Sequence, residues 1–264
     1  MQPEHRSGPG DIDRRRVTDD LSAVTAGVDA RKVPDALCLA CVRLLPVGGA
    51  SITIAASQDL RATWCASDST AARLAEAQYT LGDGPCQSAL ALTAPVLAAD
   101  LTGAPDAHRW PLFAQHAIAL GVRAVFSLPL GTSAQAIGTL DLYRVTSGSL
   151  SARELRIALL MRDAVTFAVL NLDSVVTDSP RGHPDGVASW VAAAEADHTE
   201  VHQAVGMVMV QSGLAPDQAL DRLRARAFAQ GRTVSEVAAD VVARRVRFGS
   251  DDARDDRPRG NGER

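Results

Sequence analysis

The sequence predicts an α+β fold, an antiparallel sheet flanked by helices, followed by a separate all-α module of three helices. Two patterns and one break predict it. Short alternating apolar runs mix with helical spacings over the larger, first part of the chain. From Val187 onward only helical spacing is found. Between the two, residues 173–186 hold Ser179, Pro180, Gly182, Pro184 and Gly186, the composition of a linker.

In the first part, Leu37, Cys38, Cys41, Leu44 and Leu45 fall at helical spacing, and Gly48-Gly49 ends that helix. Ser51 to Ile54 alternates as a half-buried strand, with Leu60 to Cys65 as its partner. The turn Leu81-Gly82-Asp83-Gly84-Pro85 follows, and Pro85 suits the start of a short helix through Leu92. Pro95 to Leu97 reads as a short strand and His108 to Leu120 as a helix. Val122 to Leu130 and Ala136 to Tyr143 are strands around the turn Gly131-Thr132-Ser133. Ser151 and Glu154 form a capping box that opens an apolar helix to about Leu172.

In the second part, the stripe Val187, Trp190, Val191, Ala194, Val201, Val205 and Val208 predicts a long helix that stops at Gly213. Pro216 begins a second helix with the stripe Ala219, Leu220, Leu223 and Ala227, closed by Gly231. Thr233 and Glu236 form another capping box, and Val234, Val237, Ala238, Val241 and Val242 make the third stripe. So short a module forms only a small core, which pairing with a second copy, or continuation of its first helix into the domain before it, would enlarge.

Bulk composition narrows the function classes. The 264 residues are comfortable for two domains, and 46% hydrophobic content supplies two cores. Aromatics are only 4%, so Ala, Val and Leu must build them. The net charge of −4 excludes a uniformly polybasic chain, yet seven arginines meet only Glu236 and Asp240 between Arg222 and Arg247. Residues 1–16 and 249–264 read as disordered tails. The first of these is polar and lacks the apolar core of a signal peptide, and no stretch is long and apolar enough for a membrane helix. Four cysteines are too sparse for a disulfide scaffold. These features together predict a cytosolic protein.

Several side chains are candidates for chemistry. At 100° per residue, Arg224 and Arg226 flank the apolar stripe of the second helix and Arg222 points outward, while Arg232 lies in the turn before the third helix. Free backbone N–H groups at that helix start, beside a guanidinium, suit a phosphate. Ala204 and Gly206 allow close approach, either by a base or by another helix. Phe228 projects away from the core stripe, toward packing or a stacked base. Arg244, Arg245 and Arg247 complement a helix dipole. Cys38 and Cys41, inside an apolar helix pattern with no second pair, read as buried packing rather than a metal site. Cys86 follows a Gly-Pro turn at a helix start, a setting that lowers a thiol pKa, so it is a redox candidate. His108 and His116 read as surface or capping residues.

The run Gln203-Ala204-Val205-Gly206-Met207-Val208-Met209, then Leu214, Asp217 and Ala219, then Leu223-Arg224, then Gly231-Arg232, Val234 and Val237-Ala238, resembles the ANTAR domain. Many members of that family carry lysine where this chain has Val205. Leu81 to Cys86, Ala94-Pro95-Val96 with Asp100-Leu101, Ser127 to Leu130, and Ile137-Gly138 with Leu140 to Tyr143 resemble a GAF domain. Together they look like an arrangement familiar in actinobacteria. The resemblance implies a GAF sensor over 17–172 and an ANTAR RNA-binding domain over 187–248, acting as a one-component transcription antitermination regulator, with RNA hairpins and a second copy of the chain as partners. It implies Gln203, Ala204, Gly206, Arg222, Arg224, Arg226 and Arg232 at the RNA. It also implies a pocket for an unknown small molecule, with Trp64, Tyr79, Gln87, Phe126 and Tyr143 as lining candidates. No other cofactor and no metal is expected. Two alternatives stay open: a DNA-binding factor built on a helix-turn-helix, and a cysteine-dependent reductase of free methionine sulfoxide, since some GAF-like proteins carry that activity. The expectation is a regulator and not an enzyme.

Overall fold

The computed structural model describes residues 9–25, 28, 32–55, 61–132, 135–177 and 187–248. The expected tail at 249–264, residues 1–8 of the other tail, and residues 178–186 of the linker lie outside the described residues. The chain divides into two units, Met1–Glu195 and Ala196–Arg264.

The first unit is α+β, as the periodicities predict. Its sheet has five strands, β1 (Gly49–Ala55), β2 (Arg61–Ala66), β3 (Val96–Ala98), β4 (Ala124–Gly131) and β5 (Ala136–Arg144), in the order β2-β1-β5-β4-β3. Every neighbouring pair is antiparallel. The helices are α1 (Pro9–Thr25), α2 (Val33–Leu44), α3 (Ser69–Leu81), α4 (Pro85–Leu92), α5 (Asp106–Arg109), α6 (Pro111–Ala119) and α7 (Ala152–Thr177).

Strand alternation gives the sheet two unlike faces. One is apolar: Ala50 and Ile52 of β1, Leu140 and Leu142 of β5, and Phe126, Leu128 and Leu130 of β4 share a core with Leu37 and Cys41 of α2 and Met161 and Val165 of α7. Each buried leucine there contributes about 2 kcal/mol by removal from water. The other face carries Ser51, Thr53, Ser127, Thr139 and Asp141, all buried. Helices α3 and α4 pack over it.

Three elements depart from the sequence reading. Where a disordered tail was expected at 1–16, the chain is helical from Pro9. Beyond the polar run, Val17, Leu21 and Val24 repeat at helical spacing and pack on the apolar core, and Asp13 meets Arg153 at 3.0 Å and Arg156 at 3.6 Å. Helix α3 has no counterpart in the reading, because its inward residues Ala71, Leu74 and Ala75 are mostly alanine and give a weak stripe. The helix expected over His108 to Leu120 breaks at Trp110, since Pro111 forces the residue before it out of helical geometry. The capping box before α7 forms as expected: Ser151 N–H donates to Glu154 Oε2 at 2.6 Å and Glu154 N–H to Ser151 Oγ at 3.3 Å. That helix continues to Thr177, into the segment expected as linker.

Three helices, α8 (Val187–Ser212), α9 (Pro216–Ala229) and α10 (Val234–Val242), follow. The division between the units falls within α8. The second unit's core holds Val201, Ala204 and Val208 with Leu220, Leu223, Ala227, Val237 and Val241, and Phe248 closes it. Among the described residues no helix is long and apolar enough to cross a membrane.

Candidate functional site

In the second unit, the turn between α9 and α10 determines where the predicted arginines stand. Gly231 takes φ +61°, the left-handed region that a side chain rarely adopts. Its N–H donates to the Phe228 carbonyl at 3.1 Å, and the Arg232 N–H to the Ala227 carbonyl at 2.9 Å. These two bonds form a Schellman motif, which stops α9 and swings the chain toward α10. Thr233 then caps α10: its Oγ1 accepts from the Glu236 N–H at 3.2 Å, and Glu236 Oε2 accepts from the Thr233 N–H at 2.9 Å. Arg232 is thus fixed between two helix ends.

Its guanidinium is engaged within the unit. Nη1 donates to Asp240 Oδ2 at 2.7 Å, Nη2 to the Glu236 carbonyl at 3.0 Å, and Nε lies 3.9 Å from Glu236 Oε2. The side chain keeps 35% exposure. Asp240 also accepts from Arg245 Nε at 2.7 Å, and the two guanidiniums hold its carboxyl below the ordinary carboxylate range. Arg245, read from sequence only as a dipole partner, therefore stands beside Arg232 through a shared carboxylate. The signal for it was Asp240 itself, an acid eight residues after Arg232 and five before Arg245.

The other predicted contacts separate. Gln203 and Gly206 are exposed on α8, and a Cβ at Gly206 would meet nothing within 4 Å. Ala204 is fully buried and belongs to the core. Arg222, expected to point outward, is half-buried and its Nη1 donates to Ser212 Oγ at 3.2 Å. Arg224 is 15% exposed and pairs with Asp221 at 3.3 Å. Arg226 lies over the Phe248 ring, 5.2 Å from its centroid, a packing position. Phe228 and Val210 are exposed at 55% and 87%.

In the first unit the five predicted pocket residues do not converge. Phe126 is fully buried in the apolar core, and Trp64 packs against the same core. Tyr143 lies on the opposite face, its hydroxyl donating to Asp68 Oδ1 at 3.1 Å, where Asp68 also caps α3. Tyr79 is buried in α3, and Gln87 Nε2 donates to the Gln78 carbonyl at 3.2 Å. The alternation of β4 and β5 accounts for the split: Phe126 and Tyr143 occupy positions of opposite parity relative to the paired register.

The cysteines also differ from expectation. Cys38 is bonded to Cys65, joining α2 to β2, where packing alone was read. Burial pushes the Cys41 thiol up to about 12. Cys86 is buried, and burial, reinforced by the Asp141 carboxylate, raises its thiol well above the ordinary value; Arg61 opposes this without reversing it. The helix start does not produce a thiolate there, because the low dielectric dominates. Among the described residues no cluster of three His, Cys, Asp or Glu could hold a metal ion.

What gathers on the polar face instead is a group the sequence reading missed. Gly84 makes room for it: a Cβ at that position would stand 2.7 Å from Gln78 Oε1. Gln78 Oε1 accepts from the Cys86 N–H at 2.8 Å. Asp141 is flanked across the sheet by Ser51 and Ser127, and Thr139 Oγ1 donates to Asp141 Oδ2 at 3.3 Å. Burial raises the Asp141 carboxyl to about 6, against the opposing pull of Ser127, Thr139, Arg61 and Gln78. Its polar residues alternate along β5, a strand signal that could have been read as a buried hydrophilic face.

Residues 191–242 match the family model of the ANTAR domain. No curated protein matches the chain. Among solved structures, the GAF domain of a phosphoenolpyruvate-protein phosphotransferase from Coxiella burnetii is similar at 12% identity, TM-score 0.48, over 64% of this chain and 98% of that one. The corresponding GAF domain from Acinetobacter is similar at 9% identity, TM-score 0.47, over 64% and 98%. A free methionine-R-sulfoxide reductase from Neisseria meningitidis, in complex with its substrate, is similar at 14% identity, TM-score 0.41, over 64% and 96%. Over residues 191–242, this chain carries an ANTAR domain.

Proposed function

We propose that the chain is a one-component transcription regulator: its second unit binds RNA hairpins and causes antitermination, and its first unit senses a signal. The observation that carries this reading is the ANTAR match at 191–242, laid on a three-helix unit whose turn presents Arg232 beside the capped start of α10. A guanidinium suits a phosphate oxygen, and arginine planes stack on the splayed bases of a hairpin loop. Gln203 and Gly206 supply an exposed, unobstructed strip of α8 for the same purpose. Arg224 contributes charge, while Arg222 and Arg226 hold the unit together. By retaining one hairpin pair, the protein would prevent a competing terminator hairpin from forming.

The protein acts as a homodimer in this reading. Val210 and Phe228 of the second unit and Phe167 and Leu170 of α7 are exposed apolar side chains that a second copy would cover. The reductase reading is disfavoured by the protonated, buried Cys86. A DNA-binding role remains the competing reading for a three-helix unit.

Filter binding of a paired-hairpin RNA to the full chain tests the assignment. Arg232→Ala should weaken binding by roughly tenfold or more, as for one charge-assisted phosphate contact. Unchanged affinity, with the circular dichroism spectrum intact, would remove Arg232 from the interface.

A further inference from the structure

We propose that the segment after α10, residues 243–248, is a second RNA contact, a basic strap that holds the phosphodiester backbone while the turn at Arg232 meets the hairpin. The inference rests on the reading of the second unit as an RNA binder. It adds to that reading residues beyond the ANTAR match, which ends at Val242.

Three of the strap's six residues are arginines, Arg244, Arg245 and Arg247, and all three are exposed. Both ends of the strap are fixed. At its start, the Arg244 N–H donates to the Val241 carbonyl at 2.9 Å and the Arg245 N–H to the Asp240 carbonyl at 2.8 Å. These bonds form a Schellman motif with Arg244 at φ +59°, the left-handed position that glycine usually fills. At its end, the Phe248 ring is buried against the Arg226 guanidinium. The Phe248 N–H donates to Gln211 Oε1 at 2.8 Å, and its carbonyl accepts from Ser212 Oγ at 3.3 Å. The last turn of α8 therefore anchors the strap, so its arginines are held in place before any ligand arrives.

Ordinary helix capping does not account for this arrangement. An arginine in the left-handed region is disfavoured relative to glycine, and residues held so concentrate at functional positions. A cation complements a helix dipole only within the last turn. Arg247 stands five residues past Val242, the end of α10. Arg245 Nε donates to a carboxylate, Asp240 Oδ1 at 2.7 Å, and not to a helix-end carbonyl. The same carboxylate accepts from Arg232, so one side chain joins the strap to the turn before α10. Two guanidiniums already bracket an anionic group there, the arrangement that suits a phosphate.

The charge of the other two arginines is unspent. Among the described residues neither Arg244 nor Arg247 forms an ion pair. Exposed guanidiniums on a fixed backbone match a polyanion with regularly spaced charges. Phosphate contacts position a nucleic acid without reading its sequence. The strap accordingly supplies affinity and register, and recognition of the hairpin stays with the turn at Arg232.

Filter binding of the full chain to two paired-hairpin RNAs that differ only in loop sequence, across a range of salt, tests the proposal. Arg247→Gln should weaken both RNAs about fivefold at roughly 0.1 M salt and lower the slope of log affinity against log salt by about one, the effect of one lost phosphate contact. Replacing Arg244, Arg245 and Arg247 together by Gln should cost on the order of a hundredfold and lower the slope by about three. A purely capping role would change the melting temperature and leave the slope alone. Arg247 lies outside the cap, so its variant decides if the triple one unfolds. The strap is overturned if the folded variants bind both RNAs like the parent with the same slope, or if the loss falls on one loop sequence only. Absent RNA binding by the parent overturns the regulator reading and the strap with it. Binding lost in Arg232→Ala but kept in the triple variant overturns the strap alone.

Discussion

Arg232 leaves the turn after α9 with its guanidinium already held by Asp240 at 2.7 Å. Its position in a turn between two helices was legible, because Gly231 and the Thr233–Glu236 box punctuate the sequence. Its engagement was not, since Asp240 lies eight residues on and only the helix brings it back. If Arg232 meets a phosphate, Asp240 competes with that phosphate. Asp240→Asn should therefore bind RNA a few-fold more tightly, roughly the effect of removing one repulsive charge near a phosphate. A competition titration reads this, and unchanged affinity argues that Arg232 faces away from the RNA. Asp141 gives a second residue-scale test. Its folded pKa of about 6 lies above the ordinary 3.8, so the folded state favours the protonated form. The contribution to stability is full below pH 4 and is lost as pH rises through 6. Asp141→Asn, neutral throughout, should be more stable than the parent at pH 7 by up to about 3 kcal/mol and differ little at pH 3.5. Chemical denaturation at the two pH values measures it.

At the scale of elements, strong punctuation was legible and weak stripes were not. The capping boxes at Ser151 and Thr233 form with the bonds their spacing implies. Thr233→Ala should cost about 1 kcal/mol of second-unit stability. The alanine-rich inner side of α3 and the polar opening of α1 gave periodicity too faint to place those helices. Gly206 lies inside α8 with open space where a Cβ would stand. Gly206→Ala should raise the stability of the unliganded helix by about 0.5–1 kcal/mol, because glycine loses more backbone freedom on folding. If RNA approaches α8 there, the same substitution weakens RNA binding, so melting and binding should move in opposite directions. Both moving together would argue that α8 contacts nothing at Gly206. The pocket candidates divide between the two sides of the sheet for a related reason. The aromatic candidates do not share one face, because strand alternation sends Phe126 and Tyr143 to opposite sides of the sheet, and the buried polar side chains of Thr139, Asp141 and Ser127 alternate with the apolar ones.

The whole molecule joins an α+β unit, held by an apolar sheet face and a Cys38–Cys65 bond, to an ANTAR domain with a small aliphatic core. The sequence places the division at the Pro- and Gly-rich residues 173–186, whereas the chain divides between Glu195 and Ala196, within α8. In the proposed function the second unit recognises RNA by the form of its hairpins and not merely by charge. The chain's net charge of −4 makes nonspecific adhesion a poor account in any case. Binding of the full chain to a paired-hairpin RNA and to duplex DNA of the same sequence, measured across a range of salt, tests this most directly. RNA affinity should persist at salt where duplex binding is gone, with a shallower dependence on salt concentration. Equal affinities for the two nucleic acids, falling equally steeply with salt, would contradict it.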